Sequence, residues 1–347
     1  MIRRLRASRA LRAGFAALAV AFLAYALVSQ WGKASAALSA LSWWSVAAAT
    51  VAGVVAPGAA MLAWRSLLAD LGSPLRLGAA VQVMFLGQLG KYLPGGVWQV
   101  VATMELGRDH AAPRKRTFTA TVLGMAVTLA GALALTAIAL PLTSADAARR
   151  YWWVVALVPL AAAALHPRVL TGTLNAALRL AKREPLERRV SRGGIARALG
   201  WTVLGWALLD VQAWLLVNDV HHGGLSDFLP AAAAYMLAWS VGFLTIFAPG
   251  GIGTREVAMA AALAPLMDWP RALVIATVSR LIATVADLAW AALAFALGRF
   301  GRARRSGRPA GEPADRAGNA LASAALHMDA GPNGTAGPHG RSEERRS

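Results

Sequence analysis

Ten apolar runs, separated by shorter polar stretches, organise the chain: 13–30, 43–63, 77–93, 97–107, 118–140, 151–165, 198–217, 230–248, 252–267 and 272–298. About 20 residues of α-helix cross a hydrocarbon core about 30 Å thick, and most of the runs reach or approach that length. The short ones are 151–165 and the two that follow a Pro-Gly-Gly, 97–107 and 252–267. So many long runs nearly free of charge exceed what a soluble domain of 347 residues needs, and they predict an all-α polytopic membrane protein.

Charge supplies the orientation. Arg168, Arg179, Lys182, Arg183, Arg188, Arg189, Arg192 and Arg197 crowd residues 166–197, and five Arg precede residue 13, whereas 31–42 and 218–229 hold only Lys33 between them. Under the positive-inside rule the first two segments are cytoplasmic and the last two external. Trp43, Trp44, Tyr151, Trp152, Trp153, Trp201 and Trp269 stand near run ends, where interfacial aromatics belong. The net charge of +18 is therefore a topology signal and not a nucleic-acid footprint, because the cations sit between apolar runs and in the tail. Residues 1–12 read as a basic cytoplasmic amino terminus. The "ASA" at 34–36 leaves a cleaved signal peptide open, but the length of 13–30 favours a retained helix. Residues 301–347, rich in Gly, Ala, Pro, Arg and Ser, read as a disordered cytoplasmic tail.

Two of the runs are interrupted in the same way. "GQLGKYLPGGVWQVVATMEL" (87–106) and "GFLTIFAPGGIGTREVAMAA" (242–261) align Gly87, Pro94, Gly95 and Gly96 with Gly242, Pro249, Gly250 and Gly251 at a constant offset of 155. The first copy is flanked by Arg65 and Arg76 on one side and by Arg108, Arg114, Lys115 and Arg116 on the other, so both of its ends face the cytoplasm. The second starts from the cation-free 218–229 segment and dips from outside. The expected architecture is therefore about six full transmembrane helices plus two opposed re-entrant helical hairpins (77–107 and 230–267) in an inverted repeat within residues 13–300. Tight extramembrane turns at both Pro-Gly-Gly segments satisfy the flanking charges equally.

Proline removes a backbone donor and disfavours helix in the preceding residue, while paired glycines permit unusual dihedrals. The second arms, starting near Val97 and Ile252, then present free N–H groups suited to a phosphate. Ionisable groups within apolar runs are functional candidates by default: Lys91, Glu105, Asp210, Arg255, Glu256, Arg280 and Asp287. Lys91 and Arg255 each place a cation beside a break. Arg280 and Asp287 share one face of the last run, and a structural ion-pair network is as open for them and Asp210 as a part in transport. Gln88 and Gln99 are further polar linings. The chain has no Cys, no Gly-rich phosphate loop, no HExxH helix and no GxSxG elbow. Neither a cofactor nor a metal is expected; the pair His221 and His222 reads as polar surface.

"GKYLPGGVWQVVATMELG" with "FAPGGIGTREVAMAAAL" resembles the lysylphosphatidylglycerol synthase transmembrane-region family, the flippase-like domain proteins, over roughly residues 10–300. The resemblance implies a prokaryotic inner-membrane protein that binds or moves an anionic or lipid-linked species. It implies importance for Lys91, Pro94, Gly95 and Glu105 in the first motif, and for Pro249, Gly250, Gly251, Gly253, Arg255 and Glu256 in the second. Relatives that synthesise aminoacyl lipid carry a soluble transferase domain after the membrane part. Only residues 301–347 follow it here, so a separate synthase or glycosyltransferase is the expected partner besides membrane lipids. A membrane-embedded transferase or an accessory subunit is the alternative activity, and a scaffold without transport is a third.

The Cys-free chain makes topology directly readable: Asp109→Cys should react with a membrane-impermeant maleimide only from the cytoplasmic face and Asp268→Cys only from outside. Labelling of both from one face would remove the inverted repeat.

Overall fold

The computed structural model describes residue 39 and residues 41–93, 97–180, 190–245 and 249–306. The apolar run 13–30, the residues Pro94, Gly95 and Gly96, and the tail beyond 306 lie outside the described residues. One compact unit comprises residues 1–298 and a second residues 299–347; of the second, only 299–306 are described, as the end of the last helix.

Every regular element among the described residues is helical. The helices are α1 (Trp43–Asp70), α2 (Leu77–Gln88), α3 (Trp98–Asp109), α4 (Arg114–Ala139), α5 (Ala145–Tyr151), α6 (Leu157–Ala164), α7 (Pro167–Leu180), α8 (Arg192–His221), α9 (Phe228–Leu244), α10 (Thr254–Leu263) and α11 (Trp269–Ser306). Five stretches are long and apolar enough to cross a membrane: Trp43–Asp70, Arg114–Leu142, Arg192–His221, Gly224–Leu244 and Trp269–Arg299. Only 22% to 56% of each apolar window is covered by protein, so much of the apolar surface turns outward, as lipid-facing helices require. Trp43 and Trp44 stack on each other, exposed, at the start of α1, and Trp152, Trp153 and Trp269 are likewise exposed near the ends of their runs.

Three features depart from the pattern read in sequence. The 151–165 run is split into a 3-10 turn, Trp152–Ala156, and the eight-residue α6, with Pro159 near the start of that helix. Gly224–Leu244, which takes in most of the 230–248 run expected as one arm of a re-entrant hairpin, is itself long enough to cross. And α11 continues to Ser306, six residues into the expected tail.

Helices α1 and α8 form an antiparallel pair pinned at both ends. At one end the Asp70 carboxylate accepts hydrogen bonds from the Ser191 backbone N–H and hydroxyl, both at 2.6 Å. At the other, Asp219 accepts from the Ser42 N–H at 2.6 Å and the Ser45 hydroxyl at 2.8 Å. Each carboxylate engages residues at the first turn of the other helix, where orphan donors and the helix dipole favour an anion. Between the clamps the helices approach closely, because Gly205 faces Ala56 and Ala59 and Gly53 faces Gln212 and Ile282. Pro57 sits inside α1, and the Trp290 indole of α11 donates to the Val54 carbonyl (2.7 Å) one turn before it.

Two apolar clusters build outward from this pair. Trp64, Leu67, Phe85, Leu123 and Ile195 join α1, α2, α4 and α8, while Trp206, Leu216, Tyr235, Leu263 and Ile275 join α8 to α11. The interrupted segments lie between neighbours of both. In the first, α2 ends in a 3-10 turn, Leu89–Tyr92, and α3 packs back on α2. A Cβ on Gly87 would stand 2.3 Å from Thr103 Oγ1, and one on Gly90 would stand 2.5 Å from the Gln99 nitrogen, so side-chain-free positions set the spacing of the arms. In the second, α10 packs on α9, and a Cβ on Gly251 would come within 2.9 Å of the Gly242 backbone. The arms are unequal: α2 and α3 have 12 residues each, α9 has 17 and α10 has 10.

Gly251 combines that contact with a φ of 72°, where L-residues are strained. Gly251→Ala should therefore destabilise the protein by about 2 kcal/mol or more from backbone strain and overpacking together. Gly200→Ala, in helix α8 with nothing within 4 Å of the new methyl, should be neutral or slightly stabilising. Thermal unfolding of both variants in detergent measures the difference.

Candidate functional site

The 3-10 turn that precedes the first break packs against the one that forms the second, so two segments about 155 residues apart in sequence meet. At their junction Gly250 adopts a φ of 60°, and a Cβ there would lie 3.0 Å from Arg280 Nη2 and 3.4 Å from the Tyr92 ring. Glycine is required at this point because one break is pressed against an aromatic face and a guanidinium.

Around the junction stand the charges. Lys91 Nζ donates to the Asp287 carboxylate (2.8 Å to Oδ1, 2.7 Å to Oδ2), and the buried Tyr92 hydroxyl donates to Oδ2 of the same group. Neighbouring residues of the first break thus both hold one carboxylate of α11. Two turns earlier on α11, Arg280 Nε lies 3.6 Å from Glu256 Oε1 on α10. Arg280, Glu256 and Asp287 side chains are 12%, 9% and 11% exposed, whereas Lys91 is 32% exposed and forms the accessible side of the cluster. Arg255 turns the other way, its guanidinium 4.9 Å from the centre of the Tyr235 ring, and its buried Nη2 has no hydrogen-bond partner among the described residues.

Glu256 has a second task. Its Oε2 accepts the Gly253 N–H at 2.6 Å, so the carboxylate caps the N-terminus of α10. That helix begins at Thr254, two residues beyond the start expected at Ile252, because Gly251 and Gly253 both take positive φ before the chain turns helical. The first arm begins at Trp98 after Val97, as expected.

Glu105, an ionisable candidate of the first motif, lies away from Lys91. Glu105 lies about 10 Å along α3 from its start at 1.5 Å per residue, where the Arg114 guanidinium holds both its oxygens at 2.6 Å. Asp287 neutralises Lys91 instead. Gly253 is exposed at the start of α10, Asp210 is buried on α8, and Pro94, Gly95 and Gly96 lie outside the described residues. Tyr92 was missed in sequence. The signal was available in part, since a tyrosine inside an apolar segment needs a partner for its hydroxyl, but nothing in the sequence named Asp287 as that partner. Gln212, whose Nε2 donates to Ser279 Oγ at 3.0 Å between α8 and α11, was missed for the same reason. Among the described residues no group of three or more His, Cys, Asp or Glu side chains is placed to hold a metal ion. His221 packs its Nδ1 2.8 Å from the buried Asp227 carboxylate.

A chain whose described elements are all helical, with several lipid-length spans and a charged centre where two interrupted segments meet, is a multi-pass membrane protein with a polar site inside its apolar body. Residues 11–291 match the family described as Lysylphosphatidylglycerol synthase TM region, and the chain belongs to it. That family assigns it to the membrane proteins of lipid-related pathways. No curated protein and no solved structure matches the chain.

Removing one member of the Lys91–Asp287 pair leaves the other charge uncompensated in an apolar setting. Asp287→Leu should lower the melting temperature, and adding Lys91→Met should restore part of the loss. The double-mutant cycle should give a coupling of about 1 kcal/mol, reduced from the fully buried case by the exposure of Lys91.

Proposed function

We propose that this chain binds an anionic phospholipid or lipid-linked intermediate and translocates it between the leaflets of a prokaryotic cytoplasmic membrane. The observation that carries the reading is the meeting of the two breaks beside two ion pairs, Lys91–Asp287 and Arg280–Glu256, with a third cation, Arg255, next to Glu256 in sequence and held by the Tyr235 ring and not by a carboxylate. An excess of one positive charge in an apolar body favours one more anion.

The geometry suggests how the anion is taken up. Glu256 occupies the helix N-terminus at which a phosphate would sit, so head-group capture exchanges one anion for another at the Gly253 N–H and at Arg280. The guanidinium of Arg255 offers a further donor, and its planar fork suits phosphate oxygens better than an ammonium does. On the other side the phosphate competes with Asp287 for Lys91. Because Lys91 and Tyr92 belong to one interrupted segment and Glu256 to the other, loading shifts the balance of contacts between them. In this reading the run 13–30 adds a span to those described, the two interrupted segments are re-entrant from opposite faces, both termini are cytoplasmic, and access alternates between leaflets.

Reconstituted full-length protein tests the proposal through the loss of fluorescence of NBD-labelled phosphatidylglycerol on dithionite quenching. The wild type should move the probe, and Arg255→Ala and Arg280→Ala should slow it by tenfold or more while retaining detergent-solution monodispersity. Wild-type protein that leaves anionic probes of every tested head group unmoved would overturn the reading and favour an accessory role in a lipid-modifying enzyme.

A further inference from the structure

The site does not use Asp210. This residue lies on α8 eighteen residues from Arg192 and eleven from His221, about 27 Å and 16 Å from the two helix ends at 1.5 Å per residue. It therefore lies about 5 Å from the middle of a spanning helix. It is 6% exposed, and its Oδ1 is buried without a hydrogen-bond partner. A charged carboxylate in that position, with no cation beside it among the described residues, costs desolvation that the neutral carboxylic acid does not.

The surroundings offer no counter-ion among the described residues. On α1 the charged groups are Arg65, which donates to the Leu75 carbonyl, and Asp70, held by Ser191. On α4 they are Arg114, Lys115 and Arg116 in the first turn, far along the helix from its contact with α8. Helix α9 presents only Tyr235, stacked by Arg255 of α10. The turn before α9 presents Asp227, paired with His221. On α11, Arg280 and Asp287 are engaged by Glu256 and by Lys91 and Tyr92, with Arg271 and Arg299 near the ends of the membrane-length stretch. On α8 itself, Arg192 and Arg197 lie in the first two turns and Asp219 and His221 in the last.

Other buried polar atoms without partners lie on α8 and on α4, which packs against it. Trp206, one turn before Asp210, donates to the Thr128 carbonyl (3.3 Å), and Gly131 faces Thr202 and Trp206, which sets α4 against this face of α8. The hydroxyls of Thr136 on α4 and Thr202 on α8 are both buried and unpartnered. Residues 202, 206 and 210 share one stripe of α8. Gln212 Oε1, on the face of α8 turned to α1 and α11, is unpartnered as well.

We propose that Asp210 is a proton-binding site: a neutral carboxylic acid in the conformation described, which exchanges its proton with water when this face of α8 is hydrated. Only the O–H bond is broken and remade, and the proton passes to and from water. Resting on the translocation reading, the further consequence is that lipid movement is coupled to a proton gradient through this carboxyl.

Two measurements on reconstituted full-length protein separate the parts. Infrared difference spectroscopy of wild type against Asp210→Asn at neutral pH should reveal the C=O stretch of one protonated carboxyl; should the Asn variant fail to reconstitute, Asp210→Glu shifts that band instead of deleting it. In vesicles carrying NBD-phosphatidylglycerol, a tenfold proton gradient should change the wild-type rate severalfold between its two directions, and Asp210→Asn should make the directions equal. Loss of the band at neutral pH overturns the proton site whatever the transport result. A band with probe movement indifferent to the gradient overturns the coupling. A band with no probe movement under any condition supports the proton site, while the translocation reading fails and takes the coupling with it.

Discussion

A polypeptide that interrupts a helix inside an apolar body must find partners for the backbone and side-chain groups it uncovers, since no water is there to take them. This protein turns its two interrupted segments toward each other and covers the junction with one helix. Arg280 and Asp287, seven residues apart on α11, each reach a different segment. The segments are bound through this shared strut, and the glycine contacts at Gly87, Gly242, Gly250 and Gly251 let the backbones come close enough for it to reach both.

Much of this was legible in the chain. The apolar runs located α1, α4, α8, α9 and α11, and the repeated Pro-Gly-Gly located the second interruption and the residues bordering the first. The partners of the charges were not legible. Lys91 and Asp287 are 196 residues apart, and nothing local to either indicates the other. Glu105 looked equally eligible until the direction of α3 carried it toward Arg114. Apolarity did not reveal the break inside the short run 151–165, where a 3-10 turn precedes the eight-residue α6 with Pro159 near its start. Apolarity reports what surrounds a segment, and only backbone hydrogen bonding decides whether it stays one helix.

Glu256 joins the two kinds of constraint. Its carboxylate satisfies the start of α10 through the Gly253 N–H and also faces Arg280. One side chain thus closes a backbone terminus and neutralises a guanidinium, which leaves the cap and the ion pair unable to change independently. Arg255, adjacent in sequence, is held by an aromatic face rather than by a carboxylate. Two neighbouring ionisable residues therefore have different restraints, one electrostatic and directional, the other broad and tolerant of displacement.

The carboxylate–serine clamps at the two ends of α1 and α8 carry a mechanical consequence. Sliding one helix along the other by a single turn, about 5.4 Å, would pull Asp70 off Ser191 and Asp219 off Ser42 and Ser45 at once. The clamps sit at opposite ends of an antiparallel pair, so a tilt that relaxes one strains the other. The pair therefore behaves as a stator, a fixed frame onto which α4 and α11 are fastened.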